Sequence, residues 1–432
     1  MKQSLNIGII GGGITGLTLA YYLSKNGHHP MVFEKDSEIG GLIGTINVCG
    51  SRLEKYYHHI FSGDKHTLEL IEELGLSKQM DWLKSSIGVF YKNKTYPFSS
   101  PIDLLKFPYL NLFDKFRSGL STIYLQRCQK WEKFKEKKAS EWIKKHMGKN
   151  VWEVLWRPLF QGKFGKYSQD IAMSWFWARI NCRSAAKIGG EKLIYPRNSY
   201  QEIIDKLSDK IVENKGKIIF NSSIEKLIPG KEEKIDLVVG TERYNFDLVL
   251  STIAPPLLSC IIPDAFRDFK KQLSEVIYIG NVSTILILKE KLTNYYWTNI
   301  LDRDISFAGI IEQTNFVVPS HYKNKHIVYI SHYTPVDSEY FIADNKELLN
   351  KYLVSLNKIN SRISSILEDV LIFKYPYAQP IIFSGRPYEI LQFQTPIKNL
   401  YQLSMAQIFP EDRGVNIAIR EAKKLVNFIL RY

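Results

Sequence analysis

The chain has 432 residues, 45% of them hydrophobic and 24% charged, with 58 Lys and Arg against 44 Asp and Glu for a net charge of +14. This length exceeds one small core and predicts two or three folding units. Cys49, Cys128, Cys182 and Cys260 are widely spaced with no CxxC pair, which argues against a disulfide framework or a zinc site, and the positive charge lacks any helix-turn-helix, zinc-finger or RNA-binding pattern, which argues against nucleic acid.

In chain order, the apolar run Asn6–Ile10 predicts a buried parallel strand. No basic and apolar leader pattern precedes it, and no apolar run approaches the roughly 18 residues that span a bilayer, so a cytoplasmic protein is expected. A helix follows over Ile14 to Lys25, with Leu17, Ala20 and Leu23 on one side and Gly27 past its end. Met31 to Glu34 is the next strand. Asp64 to Leu74 predicts a helix capped by Asp64 and burying Leu68, Ile71 and Leu74.

Pro101 to His146 is helical, aromatic and basic. Within it, Leu104 to Leu125 mixes Leu, Phe and Tyr with Lys106, Lys115 and Arg117, and a dense basic tract follows over Lys130–Lys138. This stretch reads as an ordinary helix packed on its own core with a solvated charged face, the alternative being a basic amphipathic helix on anionic lipid. Trp156 to Gly165 is expected to be turn-rich. Strand patterns resume at Lys217–Phe220 and Phe246–Ser251, and Val282–Leu288, Phe307–Ile311 and Ile327–Ser331 suggest an antiparallel sheet. A last strand–helix unit runs from Leu400 to Leu430.

Chemistry enters with Gly11, Gly13 and Gly16, a G-x-G-x-x-G placed directly after the first strand and opening the helix. Glycines let the backbone turn and approach a pyrophosphate, and the helix N-terminus, with Ile14 and Thr15 in its first turn, offers free N–H donors and a positive dipole. Glu34, followed by Lys35, ends the second strand, where a carboxylate can accept hydrogen bonds from a ribose diol. Together these predict dinucleotide binding.

The stretch Glu34 to Thr45 reads E-K-D-S-E-I-G-G-L-I-G-T, with a second glycine pair at Gly40 and Gly41. Here the sequence resembles the flavin-containing amine oxidase superfamily, which includes protoporphyrinogen oxidase and phytoene desaturase. The resemblance implies FAD, with Gly40, Gly41, Leu42 and Thr45 continuing along the pyrophosphate toward the flavin. Many members carry Arg where Leu42 stands. It extends to Lys217–Leu227, which places Ile224 near the adenine, and to Phe246–Thr252, with Thr252 beneath the cofactor. Near the end, Arg413 to Ala418 resembles the family's helix that points at the flavin, with Gly414, Val415 and Asn416 at its start; Met405-Ala406-Gln407 replaces the usual Gly-Asp of that motif. No Cys follows Cys260, so non-covalent FAD is expected.

On the substrate side, Tyr56-Tyr57-His58-His59-Ile60-Phe61 resembles, through His59-Ile60-Phe61, a segment of UDP-galactopyranose mutase whose histidine lies beside the flavin. Tyr96-Pro97-Phe98 is similar to a mutase segment lining its sugar site. Lys163 and Arg157 are candidates for meeting a phosphate or carboxylate. Glu312, Asn315, His332 and Tyr333 lie on or beside the predicted antiparallel strands, and Tyr375 to Pro380 is expected to enter the same cavity. His59, Lys163 and His332 are the catalytic candidates; no metal site is expected.

These readings predict an α/β architecture: a Rossmann-like FAD-binding domain of the glutathione-reductase type (1–60, 190–260 and 385–432) interleaved with an α+β substrate domain (61–189 and 261–384). The implied activity is oxidation of a small molecule by hydride transfer to flavin N5. The rival is a redox-neutral sugar mutase; a third class is flavin held without catalysis. The expected partner is a small-molecule substrate, anionic or lipid-linked, with peripheral contact on the inner face of a membrane held open.

Overall fold

The computed structural model describes residues 4–181, 192–230, 233–385 and 391–431. Cys182, and the expected boundary between 189 and 190, lie outside them.

Five strands form one parallel sheet in the order Lys217–Ile219, β2 (His29–Phe33), β1 (Asn6–Ile10), Leu248–Ser251 and Leu400–Gln402. The strands are short and apolar because both faces are covered. Helix α1 (Ile14–Lys25) and the C-terminal helix Val415–Ile429 pack together, and Leu17, Leu23, Ile419 and Leu425 lie in one buried core. Each helix begins beyond the carboxyl end of a strand of this sheet, the edge where ligands of open α/β sheets bind.

A second sheet has seven strands, in the order Leu367–Pro380, Tyr278–Leu288, His326–Thr334, Gly309–Glu312, Trp297–Ile300, Ile87–Tyr91 and Lys94–Pro97. Only the Trp297–Ile300 and Ile87–Tyr91 pair is parallel. Its outer face is covered by the helix Asn345–Ile359, whose Leu348, Tyr352 and Leu356 share a core with Val282, Leu286, Val328 and Ile330. Strand alternation turns Tyr329 and Tyr333 to the other face, where they join separate cores. The strand Met80–Lys84 pairs with Lys192–Pro196, which also holds Ile60–Phe61.

Two expectations about local structure are corrected. Trp156–Gly165 is helical: a π-type segment, Trp152–Trp156, runs into the α-helix Arg157–Phe164, with Pro158 in its first turn, where a fixed φ and a missing N–H are tolerated. Leu112–Arg127 is a helix, but its solvated face is apolar rather than charged. Elsewhere the helix Lys65–Glu73 buries Thr67, Leu70 and Ile71, with Leu68 half-buried. Among the described residues, no helix is long and apolar enough to cross a membrane.

Candidate functional site

The glycine loop after β1 is held from three sides. Gly11 has φ +104°, and its N–H donates to the Phe33 carbonyl at 2.9 Å. A Cβ on Gly16 would stand 2.0 Å from the Gly11 oxygen, so helix and loop approach as only glycine permits. The Thr252 hydroxyl donates to the carbonyls of Ile10 at 2.9 Å and Gly11 at 3.2 Å. Glu34 is buried; one carboxylate oxygen accepts the Gly12 N–H at 2.9 Å and the other the Asp36 N–H at 3.0 Å. A carboxylate has about four acceptor positions, which leaves room for a ribose hydroxyl on each oxygen.

The second glycine pair lies against the first loop. Gly40 donates to the Gly12 carbonyl at 2.9 Å, and a Cβ on Gly41 would meet the Gly13 Cα at 3.2 Å. A Cβ on Gly13 would meet nothing within 4 Å, and the same holds at Gly414. Both α1 and the C-terminal helix have glycine N-caps, no side-chain cap and no acidic residue in the first turn. Two helix N-termini with free N–H groups and open space before them form a donor set for anionic oxygens, and this fits FAD.

The remaining cofactor candidates take varied positions. Ile14 and Thr15 are half-buried in the first turn of α1, as are Leu42 and Val415 at their positions. Ile224 is buried, and Ser222 just before it donates its N–H to the Glu34 carbonyl at 2.8 Å. Lys35 pairs with Asp36 in solvent, and the Thr45 hydroxyl is bound to Gln201. The Asn416 side chain turns to a different helix. Its Oδ1 accepts the N–H groups of His66 at 2.9 Å and Thr67 at 3.2 Å, capping Lys65–Glu73, while Asp64 accepts from Phe61 instead. Met405–Gln407 forms a short turn closed by Ser404 and Gln407, the Gln407 side chain accepting the Ser404 N–H at 2.7 Å.

Where the C-terminal helix meets the seven-stranded sheet, ionisable groups converge. Arg413, directly before Gly414, donates to the Tyr333 hydroxyl at 2.5 Å. Asp412 accepts from Lys163 at 2.5 Å and lies 3.7 Å from Arg179. Lys163 also stands 5.0 Å from the Trp175 ring centre. Burial alone would raise the Asp412 carboxyl, but Lys163 and Arg179 outweigh it and hold it below the usual carboxylate range. Burial pushes the Lys163 ammonium down, partly opposed by Asp412. Tyr333 is likewise opposed: burial raises its phenol, and Arg413 with Lys163 brings it below the ordinary value. Tyr57, half-buried beside the same groups, is pushed well up by its loss of solvent. Three cations, Lys163, Arg179 and Arg413, face the one carboxylate of Asp412, so the group carries excess positive charge.

Of the three catalytic candidates, only Lys163 belongs to this group. His332 is corrected: it points to the outer face of the sheet, one residue out of phase with Tyr333. Its Nδ1 is 2.9 Å from the Tyr352 hydroxyl, and burial brings it down to about 3. His59 Nδ1 lies 3.0 Å from the Tyr296 hydroxyl, with its ring against Phe61 and Trp297. His58 is the histidine near the cation cluster, brought down to about 4 by burial and further disfavoured as a cation by Arg413. Glu312 accepts from the N–H groups of Leu292 and Thr293, Asn315 donates to the carbonyls of Thr293 and Tyr295, and Arg157 pairs with Glu153; these are structural. Tyr375 meets Tyr56 edge to face at 6.3 Å. Sequence reasoning missed Asp412, Arg179 and Tyr57 as a set; the only local signal was an Asp-Arg pair before the helix-opening Gly414. Among the described residues, no group of three or more His, Cys, Asp or Glu side chains is placed to hold a metal.

Comparison with known proteins gives a consistent picture. The family model described as flavin containing amine oxidoreductase matches residues 14–399. Mitochondrial protoporphyrinogen oxidase of Nicotiana tabacum is 26% identical over 177 residues, 40% of this chain and 35% of that protein. The 15-cis-phytoene desaturase of Glycine max is 22% identical over 319 residues, 68% of this chain and 55% of that protein. The chain thus spans about a third to a half of the length of these two curated relatives. Among solved structures, cyclohexylamine oxidase from Brevibacterium oxydans IH-35A superposes with a TM-score of 0.78 at 13% identity, covering 99% of both chains. Reduced UDP-galactopyranose mutase does so with 0.76 at 14% identity, covering 99% of this chain and 94% of that one. At such identities the likeness is one of fold.

Proposed function

The chain belongs to the flavin containing amine oxidoreductase family, and on that premise we propose that it is an FAD-dependent oxidoreductase acting on a small-molecule substrate that carries an anionic group. We assign the five-stranded parallel sheet and its glycine loops to a Rossmann-like, glutathione-reductase-type FAD lobe (1–60, 190–260 and 385–432), and the seven-stranded sheet with the helical region to the substrate lobe. The order of the parallel strands and the two open helix N-termini support that division. FAD, held by the glycine loops at Gly11–Gly16 and Gly40–Gly41 and by Glu34, would supply two-electron redox chemistry toward the substrate.

The observation that carries the reading is the Arg413–Tyr333 contact. It joins the helix that opens the C-terminal end of the FAD lobe to the inner face of the substrate sheet, so the redox centre lies between the lobes. Each residue there has a task. The N-terminus of Val415–Ile429 and Arg413 stabilise negative charge that develops as electrons arrive. Tyr333, oriented by Arg413, holds or takes a proton at its phenolic oxygen. Lys163 and Arg179, only partly neutralised by Asp412, orient an anionic substrate group. The tyrosines Tyr56, Tyr57 and Tyr375 exclude water.

The test is anaerobic absorbance spectroscopy of the FAD-loaded protein with amines, porphyrinogens and isoprenoids as candidate substrates. Loss of the oxidised flavin bands on addition of one of them supports the oxidoreductase. Turnover that requires prior reduction and consumes no electrons would instead favour the mutase reading, whose histidine segment here leans on Tyr296 rather than on the cation cluster.

A further inference from the structure

The helix Leu112–Arg127 is built inside out. Its buried side chains are Asp114, Lys115, Ser118, Ser121 and Leu125, four of the five polar. Its exposed side chains include Leu112, Phe113, Phe116, Leu120, Ile123 and Tyr124, with Leu112 at 75%, Phe113 at 68% and Phe116 at 67%. Their spacing places them along one stripe of an α-helix about 24 Å long at the usual rise per residue. The short helix Pro101–Lys106 adds exposed Ile102 and Leu105. Scattered exposed apolar residues are ordinary, but a continuous stripe of this kind marks a surface that meets something apolar.

Rotating the helix would not hide the stripe, because the polar face is committed. Lys115 donates to the Leu105 carbonyl at 2.7 Å. Arg117 donates to the carbonyls of Lys145 at 2.6 Å and His146 at 3.2 Å, and Ser121 reaches the same His146 oxygen. These bonds satisfy the open carbonyl end of the helix Ala139–His146. Turning the apolar face inward would break the bonds that Lys115, Arg117 and Ser121 make to carbonyls outside their own helix.

The charge around the stripe selects the occupant. Residues 101–150 contain twelve Lys or Arg and five Asp or Glu, a net of +7, half of the whole chain's +14. Lys106, Arg127, Lys130, Lys133, Lys137, Lys145 and Lys149 in this segment are exposed. A second copy of the chain would bring the same positive field against itself, whereas an acidic lipid headgroup layer attracts it. We propose that Pro101–Lys106 and Leu112–Arg127 form a docking face for an anionic bilayer, the apolar stripe lying in the headgroup and acyl boundary and the basic residues resting on lipid phosphates. This is peripheral attachment, with the helix parallel to the membrane plane. The docking helix is held from behind by Met173–Asn181, where Asn181 donates to the Leu125 carbonyl at 3.0 Å. That same helix carries Arg179 of the cation cluster, so the element behind the docking face reaches the candidate active site.

The test is co-sedimentation of the flavin-loaded protein with vesicles of phosphatidylcholine alone and of phosphatidylcholine mixed with phosphatidylglycerol. The expected result is binding to the mixed vesicles that weakens with salt. A Phe113→Ser, Phe116→Ser, Leu120→Ser variant should lose roughly tenfold or more of that binding while keeping its flavin and melting temperature. A Lys130→Glu, Lys133→Glu, Lys137→Glu variant should lose the preference for the acidic lipid. Hydrogen exchange on the unsubstituted protein gives an independent reading: mixed vesicles should protect residues 112–127. Failure of the wild-type protein to bind either vesicle overturns the proposal. So does binding that the serine substitutions leave unchanged, or a lipid-free dimer that those substitutions dissociate.

Discussion

Arg413 donates to the phenol of Tyr333 at 2.5 Å, and through that bond the residue before the N-cap of the C-terminal helix reaches the inner face of the seven-stranded sheet. The guanidinium also lies over the same ring, 5.6 Å from its centre. Burial would raise the Tyr333 phenol; Arg413 first, and Lys163 next, more than offset it.

Arg413→Gln removes the larger of those cations, so ionisation of Tyr333 must move to higher pH. The alkaline limb of the rate of flavin reduction should move upward with it, and the rate itself should fall by about a hundredfold, as for loss of one preorganised donor. Stopped-flow reduction across a pH series measures both. An unmoved limb would detach Tyr333 from proton transfer.

Asn416→Ala separates a capping role from a cofactor role. The side chain caps the N-terminus of Lys65–Glu73, so its loss should cost about 1 kcal/mol in urea unfolding. Flavin content should stay at the wild-type level, since the backbone N–H at 416 remains. Loss of flavin at unchanged stability would return Asn416 to the cofactor site.

Glu54 is buried, accepting from the Tyr195 hydroxyl and the Tyr200 N–H, each at 2.7 Å. Burial raises its carboxyl from 4.5 to about 7 in the folded chain. The folded state therefore holds a proton that the unfolded state has released, and this contribution is complete below about pH 4.5 and lost as pH rises through about 7. Burial raises Glu312 similarly, to about 7. His58 and His332, whose folded values lie below the ordinary 6.5, contribute with the opposite sign in this window, so the test is a difference: the melting temperature of Glu54→Gln should rise relative to that of the wild type as pH goes from 5 to 7. A series of thermal melts checks this, and an unchanged slope would contradict it.

The parts of this molecule legible in its sequence are those whose evidence is local. Gly11, Gly13, Gly16 and Glu34 lie within one strand–helix–strand unit, so their spacing alone carried the dinucleotide reading. At His332 the strand pattern fixes which residues share a face, not which face meets the site. The same limit explains Leu112–Arg127, whose amphipathic pattern is plain in sequence while the inversion of its faces depends on the carbonyls of Lys145 and His146. Lys163 and Asp412 are 249 residues apart, and no periodicity links them. Trp156–Gly165 read as turns from its glycines and proline, yet Pro158 falls in the first turn of a helix, where proline is at home.

Open backbone at Gly13, before α1, is the proposed seat of the FAD diphosphate. Its most direct test is the visible absorbance spectrum of wild-type and Gly13→Asp proteins, each mixed with excess FAD and desalted. At Gly13, φ is −74° and a Cβ meets nothing within 4 Å, so the substitution leaves the fold intact and sets a carboxylate where phosphate oxygens belong. Oxidised flavin bands are expected at full occupancy in the wild type and none in the variant, with matching far-ultraviolet circular dichroism. A colourless wild type that takes up no FAD, or a variant that keeps its full complement, would contradict it.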